Sequence, residues 1–224
     1  MWILGLLFWV AEAENLFKKL LSEKLCEPNE IMFLTVLNGL SKAGHTLVAR
    51  DLLGFFENMS CKPNVYAYST VIDGLCKDKM VDDALHILSR MIDNGISPDV
   101  VTYSSIIQGL CNVGRWKDVK ELLNEMMDHN IPPNVQTCSI LVDAFCKEGM
   151  VEEAENVLEI MMQRSICPNI VTYNALMDGY CLRGQMGKAK EVLHSMADRG
   201  LTPSIISYNS LINRYCKQGR LDEA

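Results

Sequence analysis

The chain has 224 residues, 49% hydrophobic and 22% charged, with no low-complexity or Gly/Ser-rich linker, so it holds one or two domains or a stack of small units in continuous structure. A formal net charge of −7 argues against coating nucleic acid through a basic surface. Nine cysteines form no C-x-x-C pair, and Cys76, Cys111, Cys146, Cys181 and Cys216 are spaced by 35, which marks repeat-locked apolar core positions of a reducing compartment rather than bridges or metal ligands.

In chain order, the first ten residues, MWILGLLFWV, are apolar but too few to span a bilayer. With AEA after them they have the apolar core and small-residue site of a secretory signal, yet no Lys or Arg precedes them; the other reading is a helix tail from a truncated repeat. The stretch AEAENLFKKLLSEKLCEPN at 11–29 favours the second, because it reads as the closing helix of a partial unit occupying 1–29. From there the period is explicit. Pro28, Pro63, Pro98, Pro133, Pro168 and Pro203 each lie 35 residues from the next, which divides the chain into complete units 30–64, 65–99, 100–134, 135–169 and 170–204, followed by a partial unit 205–224.

Each unit predicts two helices. In 170–204, Tyr173, Leu176, Met177, Tyr180 and Cys181 share one helical face, so the first helix is roughly VTYNALMDGYCL. Gly184 is its stop through positive φ, with Gly44, Gly114, Gly149 and Gly219 in the same place elsewhere and Lys79 the departure. The second helix of 135–169 presents Ala154, Val157, Leu158 and Met161 on one face, with Glu152 and Glu153 in its first turn. Ala49, Ala84, Ala154, Ala189 and Ala224 share a position suited to close helix approach, with Val119 the exception, and Met59, Met91, Met126, Met161 and Met196 read as core. The Pro is expected to end the second helix, and the Asp, Asn or Ser after it to cap the next. Such hairpins bury their apolar faces only by stacking, so the fold class is all-α, a right-handed α-solenoid of helix-turn-helix repeats.

Segments such as VTYNALMDGYC, GLCK and VEEAENVLEIM, with a closing Pro plus Asp, Asn or Ser on a 35-residue period, resemble the pentatricopeptide repeat family, P class, over about residues 11–224. Units such as VTYSSIIQGLCNVGRWKDVKELLNEMM look most like its plant restorer-of-fertility branch. The tetratricopeptide repeat differs in period and lacks its W-x₂-L-G-x₂-Y opening here. The resemblance implies single-stranded RNA as partner, with the mitochondrion as location and the plastid second. It implies a role in RNA processing, stabilisation, translation or editing, directly or through a recruited RNA-processing protein. Neither a membrane, a cofactor nor a small-molecule substrate is implied.

The resemblance also assigns site residues. The family reads bases with the fifth and last residues of a unit, here Ser69 with Asp99, Ser104 with Asn134, Ser139 with Asn169, and Asn174 with Ser204. Asn64 is the last residue of 30–64, whose fifth is Leu34, so its base is undefined; Asn209 is the fifth of the partial unit, and its partner position lies beyond residue 224. By the family's code the four pairs imply 5′-GAAC-3′ over residues 65–204. Ile31, Tyr66, Val101, Gln136, Val171 and Ile206, at the second position, are expected to lie against the bases, with Gln136 the departure. Lys42, Lys77, Lys147 and Lys217 share the thirteenth position and are candidate phosphate contacts, interrupted by Asn112 and Leu182. No catalytic constellation, metal-ligand spacing or zinc-deaminase signature is found. The alternative from another class is a scaffold that holds an extended peptide in the same groove.

Overall fold

The computed structural model describes residues 29–59 and 61–217, together with Glu12, Asn15, Lys19 and Glu23. Most of the partial unit expected at 1–29, Pro28 included, lies outside the described residues, as do Gly219 and Ala224. Among the described residues all regular structure is α-helical. The first helices of the units are α1 (Glu30–Lys42), α3 (Val65–Lys77), α5 (Val100–Asn112), α7 (Val135–Lys147), α9 (Ile170–Leu182) and α11 (Ile205–Lys217). The second helices are α2 (Thr46–Glu57), α4 (Val81–Asp93), α6 (Trp116–Asp128), α8 (Val151–Gln163) and α10 (Met186–Asp198).

Local chemistry sets these boundaries. Asn29, Asn64, Asp99, Asn134 and Asn169 are N-caps in extended conformation, each accepting a backbone N–H from the first turn of the next helix. The first helices stop where expected, at positive φ on Gly44, Gly114, Gly149 and Gly184, and Lys79 adopts the same conformation at φ 61°. The second helices do not run to the Pro. Helices α4, α6, α8 and α10 end five residues earlier, in a turn through Gly95, Asn130, Ser165 or Gly200 at positive φ, so an αL stop closes them and the Pro begins an extended link. At each of these turns the amide of the following Ile or Leu bonds back to the carbonyl of the buried Met, as Ile166 to Met161 at 2.8 Å, the signature of a Schellman motif.

The chain forms two compact units, residues 1–122 and 123–224, with the divide inside α6. In the first, α1, α3 and α5 pack in sequence, α2 lies on α1 and α3, and α4 on α3 and α5; in the second, α7, α9 and α11 pack in sequence, α8 lies on α7 and α9, and α10 on α9 and α11. Within each unit this is the hairpin stacking of an α-solenoid.

A first helix between two others is buried on more than the one face its pattern suggests. In α9 the expected Tyr173, Leu176, Met177, Tyr180 and Cys181 are buried, and so are Thr172, Ala175 and Gly179 on its flanks. Gly179 shows why: a Cβ there would lie 2.5 Å from Cys146 Sγ, and one on Gly109 would lie 2.8 Å from Cys76 Sγ. The repeated Cys and the repeated Gly are thus the two halves of one close helix contact. Burial drives the Cys76 and Cys146 thiols up to about 12 and Cys181 to about 11, so they stay protonated and behave as small apolar groups. Cys216, expected in the same role, is exposed, with no following first helix among the described residues. Second helices bury a single stripe containing Ala49, Ala84, Ala154 or Ala189. Met91, Met126, Met161 and Met196 are fully buried, but Met59 lies past the end of α2 and is half-buried; Phe56 fills that place in the first unit, stacked on Phe33 at 4.0 Å between ring centroids.

Candidate nucleic-acid interface

The capping side chains at the head of each first helix organise the site. Asp99 Oδ1 accepts the Thr102 amide at 2.8 Å and the Thr102 hydroxyl at 2.8 Å, while Ser69 Oγ lies 2.7 Å from that same hydroxyl. The fifth and last residues of unit 65–99 are therefore two hydrogen bonds apart, joined through the third residue of the next repeat. Unit 135–169 repeats this: Asn169 Oδ1 accepts the Thr172 amide at 3.0 Å and hydroxyl at 3.2 Å, and Ser139 Oγ lies 2.6 Å from Thr172 Oγ1. At 170–204, Ser207 takes the bridging place, donating to Asn174 Oδ1 at 2.7 Å and lying 3.4 Å from Ser204 Oγ.

Capping decides which polar atom of each last residue remains. With Oδ1 committed, Asp99 keeps Oδ2, an acceptor, whereas Asn134 and Asn169 keep Nδ2, a donor. Asn174, its Oδ1 held by Ser207, likewise keeps its amide nitrogen. An Asn side chain, which carries both a donor and an acceptor, is thus left at these positions with its donor alone. Asn134 Oδ1 takes the amides of Gln136 and Thr137, and Ser104 is buried at the fifth position of the same repeat. Asn64 is different, because its Oδ1 caps α3 while its Nδ2 donates to Glu30.

The second-position side chains stand out in water. Ile31 is 72% exposed, Tyr66 53%, Val101 54% and Val171 63%; Gln136 is exposed as well, and the Ile206 side chain lies outside those described. Each is three residues before the fifth position, hence on the same helical face and one turn nearer the cap. Asn209 is exposed on α11. Two of the thirteenth-position lysines are paired along their own helix: Lys77 bonds Asp73 and Lys147 bonds Asp143, both at 2.6 Å. Lys42 is exposed, and the Lys217 side chain lies outside those described.

Among the described residues no group of His, Cys, Asp and Glu has the arrangement of a metal site, and no helix is long and apolar enough to cross a membrane. The third-position residues Thr102, Thr137, Thr172 and Ser207 were missed in the sequence, although all are fully buried and recur on the same 35-residue beat. Their signal was the break in the pattern, since Ala67 holds that position in the one junction whose fifth residue is Leu34.

The profile of the PPR repeat family matches residues 28–77, 63–112, 98–147, 140–182 and 168–217. No curated protein matches the chain. Among solved structures, the pentatricopeptide repeat protein PPR10 in complex with an 18-nt psaJ RNA element is 22% identical with a TM-score of 0.71, over 96% of this chain and 36% of that one. PPR10 from maize matches with a TM-score of 0.63 at 22% identity, over 96% and 35%. The PPR domain of Arabidopsis thaliana protein-only RNase P 1, in complex with tRNA, is 16% identical with a TM-score of 0.64, over 84% of this chain and 98% of that one. The chain thus spans about a third of the length of the PPR10 chains it resembles.

Proposed function

The chain belongs to the PPR repeat family, and from that premise we propose that it binds single-stranded RNA, one base per repeat, without itself catalysing a reaction. The observation that carries the reading is the juxtaposition, at the junctions after units 65–99 and 135–169, of an exposed apolar second residue, Val101 or Val171, and a polar pair with an uncommitted atom. A monomeric helix bundle has no packing reason to leave Tyr66, Val101 and Val171 in water, whereas a base sandwiched between such side chains buries them and offers its edge to the pair.

The uncommitted atoms suit the sequence 5′-GAAC-3′. Asp99 Oδ2 accepts, matching the N1–H of G; the Asn134 and Asn169 amide nitrogens donate, matching N1 of A; and the Asn174 amide nitrogen matches N3 of C. In this reading the protein acts by occupying a single-stranded site in an organellar transcript, mitochondrial first and plastid second. Occupation shields the site from nucleases, holds it unfolded, or brings an RNA-processing protein to it.

The test exchanges the donor for an acceptor. Asn134→Asp with Asn169→Asp keeps both caps and is expected to move preference at the second and third bases from A to G, by about tenfold or more per base in relative affinity. Unchanged preference in this double variant refutes the assignment of the last positions. Absence of RNA binding by the unaltered chain, with capture of an extended peptide in its place, overturns the RNA reading as a whole.

A further inference from the structure

We infer that the buried third-position hydroxyls, Thr102, Thr172 and Ser207 with Thr137 in the corresponding place, are positioning residues that give each repeat its base selectivity without touching the base. The inference rests on the RNA reading above and names the groups that make it selective. Thr102 and Thr172 are fully buried, and each hydroxyl has a single proton. The Thr102 and Thr172 hydroxyls lie between the Oδ1 of Asp99 or Asn169 and the Oγ of Ser69 or Ser139, and each serine proton is spent inside the protein, on the carbonyl of Val65 or Val135 at 2.8 and 2.7 Å or on the threonine oxygen, so the serines are left facing any ligand as acceptors. One string of hydrogen bonds therefore fixes the fifth residue, the last residue and the donor or acceptor sense of each.

Packing alone does not require this string. The junction of units 30–64 and 65–99 replaces the hydroxyl pair by Leu34 and Ala67, and α1 and α3 still pack together there. At that junction nothing holds a polar fifth residue, and the Asn64 amide is taken by Glu30. A polar fifth residue and the bridging hydroxyl are present together or absent together across these junctions. That is the pattern expected of a positioning group, because a buried hydroxyl left without its partner is costly.

The test is Thr172→Val, which keeps shape and removes the bridge, with Thr172→Ser as rescue, in the full chain against single-stranded GAAC and its variants at the third base. Thr172→Val is expected to lower discrimination at the third base by about five- to tenfold, leave discrimination at the first base unchanged, and regain selectivity in Thr172→Ser. Full discrimination at the third base in Thr172→Val overturns the inference, and so does an equal loss of affinity for every RNA, which marks a purely structural role. Thr102→Val, read at the first base, is an independent copy of the experiment should Thr172→Val not fold. A lack of third-base preference in the unaltered chain is a failure of the base-reading proposal itself and is seen before any variant is made.

Discussion

At the residue scale, helix capping and the proposed base reading fall to the same side chain without competing for the same atom. An Asp, Asn or Ser after a Pro is an ordinary helix cap, and it is also the family's reading position; the structure shows Oδ1 of Asp99, Asn134 and Asn169 capping while the second polar atom stays uncommitted. The residue types were legible, but their orientation was not, since only the turn geometry says which atom the backbone takes. The threonines escaped notice for a related reason: a Thr inside VTY reads as one more β-branched residue until its neighbour across the junction is known. Burial of the repeated cysteines gives a pH prediction. Their folded values of about 12, 12 and 11 for Cys76, Cys146 and Cys181 lie above the ordinary 9.0, so the unfolded chain loses these protons first. The stability they contribute is complete below pH 9 and is lost as pH rises through their folded values. Denaturant melts at about pH 8 and about pH 10.5 should show a smaller alkaline loss in the Cys76→Ala, Cys146→Ala double variant than in the unaltered chain. Equal losses contradict it.

At the scale of the element, the beat of prolines locates the repeats but not the helix ends. Gly44 and Gly184 announce the stop of the first helices, whereas Asn130 and Ser165 stop second helices with no glycine to signal it, so the Pro is mistaken for the terminator. The register of Met59 fails for the same reason: unit 30–64 carries Phe56 where others carry Met, and residue type alone pointed to the wrong position. The glycine of the first helices has a role only the packed neighbour reveals. Gly179→Ala puts a Cβ 2.5 Å from Cys146 Sγ, and this overpacking is expected to cost about 1–3 kcal/mol despite the better helix propensity of Ala. Gly187→Ala on α10 meets nothing within 4 Å and should instead stabilise by about 0.4–1 kcal/mol. Opposite signs in two denaturant titrations confirm the close approach of α7 and α9; equal signs contradict it.

At the scale of the whole molecule, the acidic net charge ceases to be an objection once the sites of the charges are known. Lys77 and Lys147 are paired with Asp73 and Asp143, and helix α8 carries Glu152 and Glu153 in its first turn, where they complement the positive end of the helix dipole and Glu152 also pairs with Arg183. In the proposed mode affinity comes from stacking and base edges, with few phosphates neutralised, so log affinity against log salt should fall with a slope of only about −1. The most direct measurement is binding of the chain to short single-stranded RNAs carrying GAAC or single-base variants at two salt concentrations. Preference for GAAC with that shallow slope is the predicted result. Equal affinity for every sequence with a steep slope would show nonspecific electrostatics and contradict a protein that reads bases through its capping residues.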